Sequence, residues 1–381
     1  MTSTHRVVFL TGTRADYGKL KPLALRLVEH PEFDVHIFAT GMHVLHKYGA
    51  TARAVMREFG NVHLYNNQTS ASGMDVVLSN TIQGFSNYIS QLETDMIIVH
   101  GDRPETLAGA IVGSFNNILV SHIEGGEVSG TIDELIRHSV SKLSHLHFVA
   151  NDDARGRLIQ LGEIPSNIFS IGSPDIDIML SDTLPRIDDV LEHYNIAFQS
   201  YALALYHPVT TELKDLKKAT TEYISALQES DVNYIVVLPN NDLGCEIVEQ
   251  QLESLRNNPR FKVFPSIEFE SFLTLLHHSL FVIGNSSVGI REAPIYNKWS
   301  VNIGSRQQSR SEACTIYNVD NDREDINRAI AHVLNNSPSP ETNYEFGDGK
   351  SVDRFMGIIQ DRDIWSMSTQ KQFVQLPKSV S

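Results

Sequence analysis

The sequence is poor in cysteine and in long apolar runs, and each shortage excludes something. Two cysteines in 381 residues, Cys245 and Cys314, make neither a disulfide framework nor a metal-binding spacing, as expected of a protein in a reducing cytoplasm. No apolar run approaches the ~20 residues that a membrane helix requires. Met1 to Arg6 is polar, and the Val-Val-Phe-Leu that follows is too short for the core of a signal peptide. Basic residues are in deficit: 31 Lys and Arg against 46 Asp and Glu leave a net charge of −15. That balance disfavours nonspecific binding to nucleic acid or to an anionic membrane. A small anionic ligand stays compatible, because arginines in a cleft can reverse the field locally. Neither a Gly-x-Gly-x-x-Gly fingerprint nor a Walker A loop is present, which weakens NAD and ATP readings.

What the chain does have is a long alternation of short apolar runs and helical patterns without internal repeats. Strands are expected at 6–11, 34–40, 95–100, 168–171, 201–206, 234–238, 261–264, 280–283 and 300–303, with a helix over 214–229. The second half repeats the plan of the first, so the fold class is α/β, with doubly wound parallel sheets. The first lobe is placed at 1–172 and the second at 173–355. Residues 356–381 form a tail packing back on the body, with Trp365 and Phe373 at helical spacing. A polar stretch, 66–73, reads as a loop.

Strand after strand ends in Gly, Asn, Ser, His or an acid just before a helix, and the carboxyl ends of parallel strands are where ligands bind. The first run breaks at Gly12 and continues into Arg14, Asp16 and Gly18, a strand–turn–helix unit that can present backbone N–H groups to phosphate. The second ends at Gly41-Met-His43. The stretch 99–138 carries His100-x-Asp102 and His122-x-Glu124. Strand alternation would put each pair on one face, as it would His145-x-His147. Charged groups at the ends of apolar strands are costly unless paired or used.

Two lobes whose strand ends face one cleft would then offer different groups. The first has Asp102, Glu124, Asp133, Arg14 and Arg103; the second has His207, Ser286, Ser287, Glu292 and Arg306. Glu292 can accept from a ribose diol, arginines can pair with phosphate in a fork, and the carboxylates are left for acid–base work. That combination points to chemistry on the sugar of a nucleotide sugar.

The motifs Gly-Thr-Arg-Ala-Asp-Tyr-Gly-Lys-Leu (12–20), His-Gly-Asp-Arg (100–103), His-Ile-Glu-Gly-Gly-Glu-Val-Ser-Gly-Thr-Ile-Asp (122–133), Ile-Arg-His-Ser-Val-Ser-Lys-Leu-Ser-His (136–145), His-Pro-Val-Thr-Thr (207–211), Pro-Asn-Asn-Asp (239–242), Gly-Asn-Ser-Ser-Val-Gly-Ile-Arg-Glu (284–292) and Gly-Ser-Arg-Gln (304–307) follow one another along nearly the whole chain. In order and spacing they resemble the hydrolysing UDP-N-acetylglucosamine 2-epimerases of bacterial sialic acid synthesis. Ser305 departs from them, where relatives often carry Thr. The resemblance implies a glycosyltransferase-B-like fold, two Rossmann-like lobes with the active site in the cleft between them, and a homodimer or homotetramer. It implies conversion of UDP-GlcNAc and water to N-acetylmannosamine and UDP, and the family fits without a metal or a bound cofactor. Carried over by position, Asp102, Glu124 and Asp133 match the catalytic carboxylates, with Arg137 and His207 beside them. Arg14, Arg103, His207, Asn240, Ser286, Ser287, Glu292 and Arg306 match UDP-contacting positions. Gly18, Pro265, Ser266 and Ile267 match further nucleotide-lining positions, and His43, His100, His122, His145 and His147 match histidines important in the family.

The chemistry sets the demand. The C2 proton of the sugar becomes removable when the C1–O bond to UDP breaks and the ring takes oxocarbenium character. One carboxylate takes that proton, giving a 2-acetamidoglucal; a proton then returns to C2 from the opposite face and water adds at C1. Asp102 and Glu124 are the expected acid–base pair, with Asp133 in orientation or proton relay. Alternatives are a hydrolysing relative acting on a diacetamido-trideoxyhexose nucleotide of the legionaminic acid pathway, a non-hydrolysing epimerase, whose Arg-Glu-rich version of 122–127 is absent here, a glycosyltransferase and a nucleotide-sugar sensor.

Overall fold

The structure, a computed structural model, describes residues 4–45, 51–69, 72–129, 132–240, 242–308, 310–311, 313–338 and 344–375. Positions 130, 131 and 241 of the motifs above, and 70–71 of the polar stretch, lie outside the described residues. The chain divides into two compact units: Met1–Glu127 with Asp133–Leu180 and Phe346–Ser381, and Ser181–Glu345 with Val128–Ile132.

The first unit is built on a parallel sheet of β1 (His5–Thr11), β2 (Phe33–Ala39), β3 (Val62–Leu64), β4 (Met96–His100), β5 (Leu119–Ile123), β6 (Leu146–Val149) and β7 (Ile168–Ser170), in the order β3-β2-β1-β4-β5-β6-β7. Its central strands are apolar on both faces because helices cover both. Val7, Phe9 and Ile98 face Leu20, Leu23 and Leu27 of the Arg14–Val28 helix, and Val8, Ile97 and Val99 face Phe85, Ala110 and Val140. The second unit repeats the architecture with β8 (Ala202–Leu205), β9 (Tyr234–Val237), β10 (Phe261–Phe264), β11 (Phe281–Gly284), β12 (Trp299–Ile303) and β13 (Ile316–Val319), in the order β10-β9-β8-β11-β12-β13. Tyr223, Tyr234 and Phe281 fill one side of it, and Leu203, Ile235 and Leu275 the other.

Each sheet reverses its strand order once, between β1 and β4 and between β8 and β11. Neighbouring connections leave such a pair in opposite directions, which opens a crevice at the carboxyl ends. The second reversal depends on a glycine. Gly284 has φ +137°, and a Cβ there would lie 1.9 Å from the Leu205 carbonyl oxygen, so β8 and β11 meet at this level only without a side chain.

Several expectations need correction. Residues 173–180 and 346–355, assigned to the second lobe, belong to the first unit. The Pro174–Met179 and Ser351–Ile359 helices both pack on Arg14–Val28, Phe355 and Met356 enter its core, and Asp177 accepts from the N–H groups of Ser351 (2.9 Å) and Val352 (2.8 Å). β3, β13 and the Arg323–Asn335 helix were missed; the two strands span only three and four residues and carry no fully buried position. In the tail Trp365 stacks on His5 at 3.9 Å, but Phe373 is 88% exposed in irregular backbone, so it is not a packing residue.

Candidate active site

At the end of β1 the chain turns straight into a helix. Thr13 caps it, its Oγ1 accepting from the Asp16 N–H at 3.2 Å. The Asp16 carboxylate answers by accepting from the N–H groups of Gly12 (2.9 Å) and Thr13 (3.2 Å). The amides of Gly12 and Thr13 are therefore taken by Asp16 and are not open to phosphate. Arg14 stands half-buried at the first helical position, and Gly18 is buried one turn on.

His43, expected at the substrate, has no exposed surface. Its Nε2 meets Thr11 Oγ1 at 3.0 Å, its Nδ1 meets Thr51 Oγ1, and its ring packs edge-on to Tyr17. Burial pushes it down to about 4, so it is neutral at pH 7. This imidazole supports the 11–16 turn from behind.

Glu124 follows β5 at φ +63°. The other positive-φ residues other than glycine among the described residues are asparagines, Asn117, Asn195 and Asn297, whose short amides tolerate that region. A glutamate there costs ~1–2 kcal/mol and persists where its surroundings over-determine it. The surroundings are specific. Lys19 Nζ donates to both carboxylate oxygens, at 3.0 and 3.2 Å, Ser173 Oγ donates to Oε1, and His100 Nε2 lies 3.2 Å from Oε2. Lys19 in turn lies 3.5 Å from the fully buried Asp175. Lys19, Ser173 and Asp175 were not among the predicted site residues.

Asp102 comes two residues after β4, beyond Gly101 at φ +75°. Strand alternation therefore ends at His100, and the expected shared face of His100 and Asp102 does not form; the left-handed turn at Glu124 breaks the second pair in the same way. Asp102 is ion-paired with buried Arg137, which also donates to the Glu127 carbonyl at 3.1 Å. His122 braces this turn. Its Nε2–H donates to the Gly101 carbonyl at 2.8 Å, so its Nδ1 accepts from Ser141 Oγ at 3.0 Å, and burial pushes it down to about 3. Arg103 is the N-cap residue of the Pro104–Phe115 helix. Asp133 sits half-buried in the first turn of Ile132–Leu143, four residues before Arg137.

The His145-x-His147 pair also separates. β6 starts only at Leu146; His145 Nδ1 accepts from the Val120 N–H at 2.9 Å, and its Nε2 donates to the Thr369 carbonyl at 3.0 Å. His147 Nε2 is 3.0 Å from Glu163, which also pairs with Lys142 and Lys371. Both histidines hold the tail segment around 369–371 to the sheet.

In the second unit the amide of Asn285 ties the two strand ends at the reversal. Its Oδ1 accepts from the His207 N–H at 2.7 Å and its Nδ2 donates to the His207 carbonyl at 2.8 Å. Its own carbonyl accepts from Arg306 at 3.1 Å and Gln307 at 3.3 Å. One buried residue thus ties three turns, its side chain holding the 207 turn and its main-chain carbonyl the 304–307 turn. Glu292, 6% exposed, ends the short Val288–Arg291 helix. Asn240 and Ser266 are half-buried beyond β9 and β10. Ile267 is different: its side chain is committed to the core with Leu275 and Val282, so only its main chain can meet a ligand. Among the described residues no three His, Cys, Asp or Glu side chains form a metal-binding group, and no helix is long and apolar enough to cross a membrane.

Comparison with known proteins shows the family. Residues 25–360 match the family model of UDP-N-acetylglucosamine 2-epimerase. The chain is 44% identical to the UDP-N-acetylglucosamine 2-epimerase of Neisseria meningitidis, covering 97% of this chain and 99% of that protein. It is 32% identical to the UDP-N,N'-diacetylbacillosamine 2-epimerase (hydrolyzing) of Legionella pneumophila, over 96% and 98%. The fold matches the crystal structure of Methanocaldococcus jannaschii UDP-GlcNAc 2-epimerase in complex with UDP-GlcNAc and UDP, with a TM-score of 0.80 at 20% identity over 93% of this chain and 99% of that one. Two parallel α/β sheets, acids at the first reversal, a His–Asn–Ser–Arg cluster at the second and a match across most of the length place this chain in the UDP-N-acetylglucosamine 2-epimerase family.

Proposed function

We propose that the protein is a hydrolysing UDP-N-acetylglucosamine 2-epimerase, converting UDP-GlcNAc and water to N-acetylmannosamine and UDP, the opening step toward a sialic acid. The observation that carries this reading is Glu124. A buried carboxylate held at a positive φ by Lys19 and Ser173, with His100 Nε2 3.2 Å away, is a preorganised acid–base group, and Asp102, ion-paired with Arg137, is a second one from the neighbouring strand end.

Inversion at C2 needs two such groups, one to remove the proton and one to return it to the opposite face. Removal becomes possible as the C1–O bond breaks and positive charge spreads over C1 and the ring oxygen. Arg14 and Arg103 take up the charge on the departing diphosphate, and Asp133 orients or relays the proton. His207, Asn240, Ser286, Ser287, Glu292 and Arg306 recognise the nucleotide, with Glu292 accepting from the ribose diol and Gly18, Ser266 and the main chain of Ile267 lining it. Asn285 holds His207 and Arg306 of that set in register.

The greater identity to the Neisseria protein than to the Legionella one supports UDP-GlcNAc over a diacetamido sugar. Product analysis tests this. Incubation with UDP-GlcNAc is expected to give free UDP and N-acetylmannosamine, at a kcat/KM at least ~10-fold above that for UDP-N,N'-diacetylbacillosamine. UDP-bound N-acetylmannosamine as the product would overturn the hydrolytic assignment, and a preference for the diacetamido nucleotide would overturn the substrate.

A further inference from the structure

The Gly-Ser-Pro-Asp turn at 172–175 has entered so far only through the Ser173 bond to Glu124, yet two of its side chains reach the Glu124 cluster. Ser173 is wholly buried and its hydroxyl donates to Glu124 Oε1. It is the N-cap residue of Pro174–Met179 but makes no side-chain cap bond, so its hydroxyl is not spent on the helix. Asp175, also wholly buried, lies 3.5 Å from the Lys19 ammonium that serves Glu124. Two buried carboxylates thus share a single ammonium. Burying charge in this way is costly, and a purely structural turn has no need of it.

We propose that Ser173 and Asp175 are positioning residues that set the basicity of Glu124 in opposite directions. The inference rests on the acid–base role given to Glu124 above. The hydroxyl stabilises the ionised carboxylate by hydrogen bonding. Asp175 does the reverse: it draws Lys19 away and adds a like charge, which makes Glu124 a stronger base. When Glu124 takes a proton, Lys19 keeps a partner in Asp175, so the ammonium is never left uncompensated and the cluster need not rearrange within a turnover. Among the described residues, the charged and titratable groups facing Glu124 include Lys19 from the Arg14–Val28 helix, His100 at the end of β4, His122 on β5 and, across Lys19, Asp175. Asp177 lies behind Asp175, turned to the Ser351 and Val352 amides.

The opposite signs make the test. Protein labelled with 13C at glutamate Cδ gives the titration midpoint of Glu124 directly, its resonance assigned by its loss in Glu124→Gln. Ser173→Ala is expected to raise the midpoint and Asp175→Asn to lower it, each by about 1 pH unit, the scale of one hydrogen bond to a charged group. Each is also expected to lower kcat ~10-fold while KM for the nucleotide sugar stays within about threefold. Midpoints that stay put, or move in the same direction, would overturn the inference. Ser173→Ala removes no cap bond and leaves the fold intact, so it decides the matter even where Asp175→Asn does not accumulate. A wild type without epimerase activity whose midpoints still move apart would fail the functional reading and leave this one standing; an active wild type with unmoved midpoints would do the converse.

Discussion

Glu163 offers an electrostatic lever on the first unit. It is 2% exposed and receives His147 Nε2 at 3.0 Å, Lys142 at 2.7 Å and Lys371 from the tail. Burial alone would raise its carboxyl, but these three partners outweigh burial and hold it at about 2, against an ordinary 4.5. At 1.36 kcal/mol per pH unit, that difference stabilises the folded state by roughly 3 kcal/mol at neutral pH. Lys142 is half exposed, so its share is screened and the realised value is closer to ~2 kcal/mol. Glu163→Gln is expected to lose about that much. The sign follows from the depressed folded value: the stabilisation is complete above pH 4.5 and fades as pH falls toward 2. The two tryptophans make the assay specific to each unit, since Trp365 belongs to the first and Trp299 to the second. In a Trp299→Phe background, urea unfolding followed by Trp365 fluorescence should give a gap of ~2 kcal/mol at pH 7 between protein that keeps Glu163 and protein carrying Glu163→Gln, narrowing by half or more at about pH 3. A gap below ~0.5 kcal/mol at pH 7, or one that does not narrow in acid, would refute the reasoning.

Three further outcomes are expected. Asp102→Asn and Glu124→Gln should each lower turnover ~100-fold or more while UDP affinity, read by calorimetry, changes little. Arg306→Ala removes both a guanidinium and its bond to the Asn285 carbonyl, and should weaken UDP binding ~10-fold or more in the same assay. Gly284→Ala drives a Cβ into the Leu205 carbonyl at φ +137° and should cost ~3 kcal/mol or more, seen as loss of soluble protein or a much lower midpoint for the second unit.

The two sheets were legible because their central strands are short, largely apolar runs, a pattern that burial on both faces enforces. β3 and β13 escaped because short, half-exposed edge strands carry no such run. Asp102 and Glu124 were legible as acids at the ends of apolar strands. Their surroundings were not: Lys19 and Ser173 lie 105 and 49 residues from Glu124 in sequence, and nothing local marks either as its partner. Alternation misled where β4 and β5 stop before Asp102 and Glu124 and where β6 starts only after His145. The 12–18 unit looked like a turn open to phosphate, and nothing local showed that the Asp16 carboxylate takes the Gly12 and Thr13 amides.

The claim on which the rest depends is that the C2–H bond breaks and re-forms under acids of this chain. Turnover of UDP-GlcNAc in D₂O, followed by proton NMR, tests it most directly. The account predicts N-acetylmannosamine carrying deuterium at C2 in every molecule released, in step with free UDP. Product that retains its original hydrogen at C2 would contradict it.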